Sequence, residues 1–451
     1  MNNKALQIYL KLFSLSKRGE NNQGFVLPMM IGLGLIMTLV GLTMIGRSSD
    51  EQMRSISQAQ TAQALASAET GVTRVMNFLN NVRPLANRNL DEWEDKSEKL
   101  EEVAKDCDRD NILNQYEKYS EREWIEINNG RDRFKVNNYQ YLEGEGLLSI
   151  EAQANFNQNP SSAALDVTIP VQPVEDGAPG LYVNKANLSN NQIIGDLLLH
   201  DCDLDSEDID LDNISGDAKA DPFAEFPDLP ELPSDYTTID AIRNNSLDEE
   251  GEKVFPLDKE NDPQDADGRY HYLIESQGEG GNSISLNGGN RTIRIEPGKK
   301  VTFYLEGDVS FRGNARMLHS CKDAAGETIE EECEINPTDF QVFGGDGQGN
   351  TYYGGKTEEF CLSGYSRVQA LIFAPKANVG VRGGGENNEE DPEDNAGITG
   401  TVWANSWNDG CGSNAGKVLV TQNADWNDLP FPAPRRIAPP TRWERKSVGE
   451  S

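Results

Sequence analysis

The longest feature of the hydrophobic pattern is an apolar run near the start of the chain. From Phe25 to Gly46 there is no ionisable side chain, and charges return at Arg47 and Asp50. About 20 helical residues cross the core of a bilayer, whereas the apolar part of a secretory signal has only about 7–15. The residues directly after the run, GRSSDEQ, contain no A-x-A cleavage site. It therefore predicts a retained transmembrane helix over residues 25–46.

Apolar residues continue beyond this run at helical spacing, every third or fourth position. They are Met53, Ile56, Ala59, Ala62, Leu65, Ala68, Val72, Val75 and Leu79. Since no proline occurs until Pro84, we predict one continuous helix from Phe25 to about Asn81. At 1.5 Å per residue it would be about 80 Å long, and its second half needs an apolar partner.

Three later segments alternate apolar and polar residues, which is typical of half-buried strands. Gly144 to Gly146 and the stretch NQNPSS supply the turns between them. The apolar positions are Phe134/Val136, Leu148/Ile150/Ala152/Ala154 and Ala163/Leu165/Val167/Ile169/Val171. A small antiparallel sheet with one apolar face would be the partner that the helix needs. Residues 47–172 therefore predict an α+β unit.

A linker rich in Pro and Gly, residues 173–180, leads into a mostly-β domain over residues 181–426. Short alternating strands recur there with Gly and Asn between them, as in VTFYLEGDVSFRGN. Such a pattern fits a sandwich or a solenoid. The close spacing of the strands favours a parallel β-solenoid, as do Gly-Asn and Gly-Gly corners that accept positive φ.

Two acidic inserts interrupt the strands of this domain. One is Pro-rich and covers residues 223–268, and the other is GGGENNEEDPEDNAG at residues 383–397. We expect a loop with little core from the first and a solvated corner from the second. The Pro-rich tail, residues 427–451, predicts an extended, polyproline-like or disordered end.

The charge balance excludes one class of partner and orients the membrane helix. Acidic residues number 75 against 41 basic ones, a net charge of −34, which repels nucleic acid. Four basic residues precede the apolar run, and the two that follow it closely are matched by Asp50 and Glu51. The positive-inside rule therefore places the N-terminus in the cytoplasm and the rest of the chain outside.

All six cysteines follow the apolar run and would therefore face an oxidising space, where an even number favours disulfides. Fifteen full pairings are possible, and spacing does not choose among them. Cys321 with Cys333, which bracket a short polar loop, and Cys361 with Cys411, which flank a strand-rich stretch, are our candidate pairs.

The residues around the apolar run carry a family resemblance. GFVLPMMIGLGLIMTLVGLTMIG after a short basic leader resembles the class III signal of type IV prepilins, and QAQTAQALASAETGVTR is similar to the N-terminal helix of PilX-type minor pilins. The resemblance implies a leader over residues 1–24, cleavage by prepilin peptidase between Gly24 and Phe25, and methylation of the new Phe25 amine. It also implies association with other pilin subunits and with the pilus assembly machinery.

One position departs from the family pattern. The fifth residue after the cut is normally Glu in major pilins, and here it is Met29. This departure fits an initiating or tip subunit, or one that does not polymerise alone. In the second part, KKVTFYLEGDVSFRGNARM, ALIFAPKANVGVRGGG and GITGTVWANSW look like the β-helical surface domain appended to many PilX-like pilus proteins. That likeness brings no catalytic residues with it.

The densest acidic cluster, HDCDLDSEDIDLD, begins at His200. Asp201, Asp203 and Asp205 are weak calcium candidates, because Ca²⁺ takes six to eight oxygen ligands. The EF-hand pattern fails, since Ser206 stands where the sharp turn needs Gly. Alternating carboxylates also describe a solvated strand edge, which we favour, so no cofactor is expected.

Other polar and aromatic residues are weaker candidates for chemistry. His319, Cys321 and Cys333 lack an evident fourth zinc ligand, and a disulfide is the easier fate outside the cell. His271 lies among strand-forming residues and is expected to be packed or exposed. Sugar rings could stack on Trp403, Trp407 and Tyr365, although Trp on a strand is more often part of a core.

No P-loop, nucleophile elbow, HExxH or dinucleotide-binding glycine turn is present, and we expect no enzymatic activity. The residues and the resemblance together favour a minor or tip type IV pilin-like subunit. It would be held in the inner membrane and then displayed at the cell surface for adhesion, motility or polymer secretion, with a surface structure or polysaccharide as one ligand option. The alternatives are a pseudopilin of a secretion apparatus, a single-pass anchored surface protein and, least favoured, a carbohydrate-active β-helix enzyme.

Overall fold

The structure is a computed structural model of the 451-residue chain. It describes residues 26–156, 159–174, 177–188, 191–202, 204, 208–278, 281–319, 336–347, 355–382, 397–408, 411, 419–421 and 424–446. Its α-helices are α1 (Val26–Asn81), α2 (Ser97–Asp106) and α3 (Asp110–Ser120). The predicted fold class is confirmed, because a long apolar helix and a small antiparallel sheet precede a large mostly-β domain.

Helix α1 is continuous over 56 residues, as the spacing of its apolar residues predicts. It ends before a 3₁₀ turn at Arg83–Leu85, where the ring of Pro84 removes a backbone donor. Its packed face begins at Ala64, later than predicted, since Met53 remains 62% exposed. The buried positions on its second half are Ala64, Ser67, Ala68, Gly71, Val72, Val75, Phe78 and Leu79.

The partner of this half is an antiparallel sheet of four strands, which lie side by side in chain order as β1 (Ile125–Ile127), β2 (Asp132–Leu142), β3 (Glu145–Phe156) and β4 (Asn159–Pro173). Two strands near the C-terminus, β23 (Arg435–Ile437) and β24 (Arg442–Lys446), pair with β4. The three predicted apolar strand faces are all buried against the helix side. Strands β2 and β3 join through Glu143 and Gly144, both at positive φ, as a tight hairpin requires.

The second part is a parallel sheet of 18 strands among the described residues. They are β5 (Leu181–Ala186), β6 (Gln192–Ile194), β7 (Leu197–Leu199), β8 (Ala218–Ala220), β9 (Thr237–Ile239), β10 (Ile242–Arg243), β11 (Glu252–Phe255), β12 (Arg269–Ile274), β13 (Asn282–Gly288), β14 (Thr292–Ile295), β15 (Lys300–Leu305), β16 (Asp308–Gly313), β17 (Arg316–His319), β18 (Phe340–Gly344), β19 (Glu359–Ser363), β20 (Arg367–Arg382), β21 (Gly397–Trp407) and β22 (Leu419–Thr421).

Many of these strands pair with the strand three positions later in the chain. The series β12–β15–β18, β13–β16–β19 and β14–β17–β20 all run this way, in parallel register. Their inward side chains, for example Tyr272, Phe303 and Val342, belong to one buried apolar cluster. Three strands therefore recur as a unit, and successive units stack on each other.

The stacking order differs from the chain order. Strands β5 and β6 pair with β21 and β22, near the other end of the sequence, and β7 and β8 extend the stack beyond β5. Strands β9, β10 and β11 pair with β12, β13 and β14 on the opposite side. The chain therefore crosses from β8 to β9 through residues 221–236 and winds back toward β22.

One outward-facing row of side chains on this sheet is also buried. In-register neighbours place these residues side by side across six strands, and we call them the outer row. Two Pro-rich segments, residues 221–236 and 424–434, cover the row through Phe226, Leu232, Leu429 and Phe431. The outer row consists of Leu273, Tyr304, Phe343, Phe373, Trp403 and Tyr182.

Three segments that were expected to be loops, a linker or a free end are packed or paired in the structure. The insert at 223–268 was expected to have little core, yet Phe223, Ile242 and Phe255 in it are buried and it contains β9, β10 and β11. In the predicted linker, Ala178 is buried in the outer-row cluster. The tail is extended, but β23 and β24 pair with β4 rather than forming a free end. Residues 383–396 of the second acidic insert lie outside the described residues.

Candidate functional site

The first half of α1 is a continuous apolar surface with no protein against it. Its large apolar side chains from Met29 to Ile45 are 45–68% exposed. Among the described residues this is the one helix long and apolar enough to cross a membrane. An exposed apolar surface of this extent marks a site that lipid or other protein covers.

The polar groups of this half are satisfied within the helix itself. The hydroxyl of Thr38 donates to the Gly34 carbonyl at 2.7 Å, and that of Thr43 donates to the Val40 carbonyl at 2.8 Å. Because lipid offers no hydrogen-bond partners, such internal satisfaction is what a spanning helix needs. The proposed cleavage residues Gly24 and Phe25 lie outside the described residues, and Met29 is 56% exposed.

The second half of α1 packs closely on the antiparallel sheet because small residues face it. A Cβ atom on Gly71 would lie 2.7 Å from Cδ2 of Phe134. A polar contact fixes the start of the interface, where Gln63 Nε2 donates to both carboxylate oxygens of Asp132 at 3.2 Å. Asp132, only 1% exposed, also accepts from Asn128 Nδ2 at 2.7 Å.

The predicted calcium residues are only partly described. Asp201 is exposed and its carboxylate accepts the backbone N–H of Cys202 at 2.7 Å. Asp203 and Asp205 lie outside the described residues. In the described part of the chain no three His, Cys, Asp or Glu side chains are grouped so that they could hold a metal ion.

Two disulfides are described. Cys361 and Cys411, one of the pairs that the sequence suggested, are joined. Cys107 is joined to Cys202, which was not one of the candidate pairs, and this disulfide crosslinks the helical region after α1 to the parallel sheet. The other suggested pair, Cys321 with Cys333, lies outside the described residues.

Of the three histidines, His271 is buried, and His200 and His319 are partly buried. His200 contacts the Tyr182 hydroxyl through Nε2 at 2.7 Å, and burial, together with the charge of Lys99, lowers its pKa to about 4. Burial also lowers the pKa of His271, which lies between the Tyr304 hydroxyl and the Asp265 carboxylate. Burial likewise lowers the pKa of His319 to about 4. These groups are neutral at physiological pH.

The aromatic candidates for sugar stacking divide into core and surface. Trp403 and Trp407 are fully buried, so their rings are structural. Tyr365 is 54% exposed.

The two parts of the protein meet at a cleft of about 260 Å³ that the sequence did not indicate. Its lining comes from the turn after α1, the two Pro-rich segments and the outer row. Prolines and the half-buried Trp426 form much of its wall, and Trp426 lies 5.4 Å from Trp403 between ring centroids. The charged side chains that line it are Arg83, Arg88, Arg435, Asp221 and Glu225. We call it the interdomain cleft.

The edge of the cleft carries an ion-pair bridge between the two parts. Lys96 Nζ lies 2.8 Å from a carboxylate oxygen of Glu225, and Lys99 Nζ lies 3.3 Å from the other oxygen. Burial opposes the charged form of Glu225, but its two lysine partners outweigh burial and lower its pKa. This carboxylate is therefore held ionised and in place.

Comparisons with known proteins give two findings. Residues 280–418 match a family model described as a domain of unknown function, DUF7305. Among solved structures, the competence-associated pilin ComZ from Thermus thermophilus aligns over 72% of this chain and 86% of its own, with 10% identity and a TM-score of 0.26. A likeness at that score does not establish a shared fold. No curated protein matches the chain.

Proposed function

We propose that the protein is a type IV pilin-like minor or tip subunit that displays its β-rich domain at the cell surface. The observation that carries this proposal is the division of α1, with one half exposed and apolar and the other half packed on an antiparallel sheet. A helix of this kind can lie in a membrane before assembly and against other apolar helices afterwards. The motif at Gly24 and Phe25 supplies the processing step.

In this proposal prepilin peptidase cleaves the chain after Gly24 in the inner membrane. Phe25 is then methylated, and the assembly machinery brings α1 together with the helices of other pilin subunits. Met29 offers no carboxylate to a neighbouring amine, which supports a place at the tip or an initiating role. The N-terminus lies in the cytoplasm before cleavage, and everything after α1 reaches the outside.

We further propose that the displayed domain is a parallel β-solenoid. Its support is the pairing of strands in steps of three around one apolar core. The domain would serve adhesion, motility or polymer secretion as a binding module without enzymatic activity or a resident cofactor.

The test is mass spectrometry of the N-terminal peptide of the protein purified from membranes. The expected mature protein begins at methylated Phe25, and a Gly24→Leu variant is expected to retain its leader. Gly32→Leu is the matched control, because a side chain at Gly32 meets open space in the same apolar helix. An unprocessed Met1 terminus in the native chain would refute the proposal and favour a single-pass anchored surface protein.

Isolation of surface filaments distinguishes a pilus subunit from a pseudopilin of a secretion apparatus. A pilin-like subunit should be present in sheared surface filaments. A pseudopilin of a secretion apparatus should be processed at Phe25 yet stay with the cell envelope.

A further inference from the structure

Three arginines that line the interdomain cleft have no ion-pair partner in the part of the chain that the structure describes. Among the described residues, no carboxylate lies within 4 Å of the guanidinium groups of Arg83, Arg88 or Arg435. Arg435 contacts the face of the Tyr141 ring, 5.7 Å from its centroid. Three arginines in one cleft with no ion-pair partner among the described residues are unexpected in a chain with a net charge of −34.

The two carboxylates in the same lining do not neutralise them. Glu225 is engaged by Lys96 and Lys99, and Asp221 lies 3.6 Å from Lys219. Both carboxylates therefore have lysine partners of their own. The arginine side of the cleft keeps an excess of positive charge that a bound anion would balance.

Buried hydrogen-bond donors also lack acceptors here. Arg83 Nε and Trp426 Nε1 are both buried, and neither has a hydrogen-bond partner in the described part of the chain. A buried unsatisfied donor costs about 1–3 kcal/mol, so two of them in one cleft indicate a ligand that brings acceptor oxygens. The indole of Trp426, with prolines around it, offers an apolar face to the body of that ligand.

We infer that the interdomain cleft binds a uronic acid unit of an acidic polysaccharide. The ring carboxylate is the planar acceptor that a guanidinium fork matches, and the sugar ring presents C–H groups to Trp426 while its hydroxyls accept from the free donors. The cleft volume, about 260 Å³, lies just below the usual range of about 300–1,000 Å³ for ligand pockets. It holds a short unit with its chain continuing into solvent.

The inference adds a ligand class to the proposed function. It rests on that function only in that the ligand would be encountered at the cell surface. Binding is measured on the full chain in detergent micelles, so it does not depend on leader cleavage or filament assembly. If uronate binding failed, the processing result at Phe25 would be unaffected, and the reverse also holds.

The experiment is isothermal titration with digalacturonate as the probe. Neutral galactobiose has a similar ring body without the carboxylates, and acetate has the carboxylate without a ring. We expect saturable binding of digalacturonate, and at least tenfold weaker binding of each comparison compound. Arg83→Gln should weaken digalacturonate binding at least tenfold, and Trp426→Leu should weaken it through loss of the stacking face.

Two variants serve as controls. Arg131→Gln removes the same charge from an exposed position outside the cleft and should leave binding unchanged. A Glu175→Gln/Asp176→Asn variant changes two acidic residues near the cleft-lining Pro179 in sequence, which lie outside the described residues. This variant should also leave digalacturonate binding unchanged, because the inference has no carboxylate paired with the three arginines.

Three results would overturn the inference. One is equal binding of digalacturonate and galactobiose, or binding of neither. Another is binding that Arg83→Gln leaves unchanged while circular dichroism shows a folded variant. The third is tighter binding of a tri-aspartate peptide than of digalacturonate, which would assign the cleft to an acidic protein segment instead.

Discussion

Replacement of Gly71 tests the packing that fixes α1 to its sheet. In a Gly71→Val variant the new Cβ atom would lie 2.7 and 2.8 Å from Cδ2 and Cγ of Phe134, and 3.3 Å from Cδ1 of Ile150. Phe134 and Ile150 are fully buried, so neither can move away without disturbing the core. The γ-methyl groups of valine would add further volume to the same gap.

The expected cost follows from two opposing effects. Overpacking of a filled core costs about 1–3 kcal/mol, and leaving glycine behind in a helix interior returns about 0.4 kcal/mol for valine. From the middle of that range we expect a net loss of about 1.6 kcal/mol in the free energy of opening of the helix–sheet core. Since about 1.4 kcal/mol corresponds to a factor of ten, amide exchange through that opening should become about 14-fold faster.

Hydrogen–deuterium exchange of the full chain in micelles measures this directly, in peptides that cover β2 and β3. Ala66→Val is the matched control, because Ala66 is exposed on the same helix and valine there costs only about 0.6 kcal/mol of helix propensity. Addition of Phe134→Leu to Gly71→Val should recover part of the loss, as a favourable coupling in a double-mutant cycle. Equal exchange rates in Gly71→Val and Ala66→Val would refute the close approach at Gly71.

Three further predictions concern other parts of the molecule. A Cys107→Ser/Cys202→Ser variant lacks the disulfide that closes a loop of 95 residues. In the chain-entropy model such a crosslink stabilises the folded state by about 4–5 kcal/mol, so the midpoint of thermal unfolding should fall. An unchanged midpoint would contradict this. Folding lowers the pKa of His200 to about 4, so the unfolded chain takes up a proton at a higher pH than the folded one. The free energy of unfolding should therefore fall by about 2 kcal/mol between pH 6.5 and pH 4.5. That part of the decline should be missing in His200→Gln in urea titrations at both pH values. Leu35→Arg places a charge at an exposed apolar position of α1, at a cost of about 2.5–3.5 kcal/mol in membrane insertion, so a smaller fraction of the protein should stay with the membranes after carbonate extraction. Leu142→Arg, at an exposed position of the sheet hairpin, should leave that fraction unchanged.

The local patterns were sufficient for α1 and for the antiparallel sheet. An apolar run sets a membrane helix by its length, and period-two alternation sets a strand face, so both depend on neighbouring residues only. The onset of packing at Ala64 rather than Met53 was not predictable in this way. It depends on where the sheet ends in space, and the buried positions include Gly71, which carries no apolar signal.

The arrangement of the parallel sheet could not be read from the sequence for a different reason. Strand β5 pairs with β21, more than 200 positions away, and nothing within either strand specifies that partner. Cys107 and Cys202 come together through the same long-range assembly. The interdomain cleft also depends on it, because its arginines come from the turn after α1 and from the tail.

The Pro-rich segments illustrate how composition alone can mislead. Proline lacks a backbone donor, so a run rich in proline cannot pair regularly within a sheet, and its composition predicts a loop or a free end. The same property suits such a run to lie across a sheet face, where it meets side chains and needs few backbone partners. The outer row supplies those side chains, since Tyr304, Phe343 and Phe373 would otherwise be exposed on an outward face.

The same arrangement explains how a domain appended after a short linker can be held firmly on α1. The β-rich domain is attached at its start through residues 173–180 and again at its end, where β23 pairs with β4 and Ile437 N–H donates to Asn80 Oδ1 on α1 at 3.0 Å. The Cys107–Cys202 disulfide and the Glu225 ion pairs add connections away from the linker. Rotation about one linker would require these separate connections to break together. A force acting on the β-rich domain would therefore reach α1 through several connections and not through the linker alone.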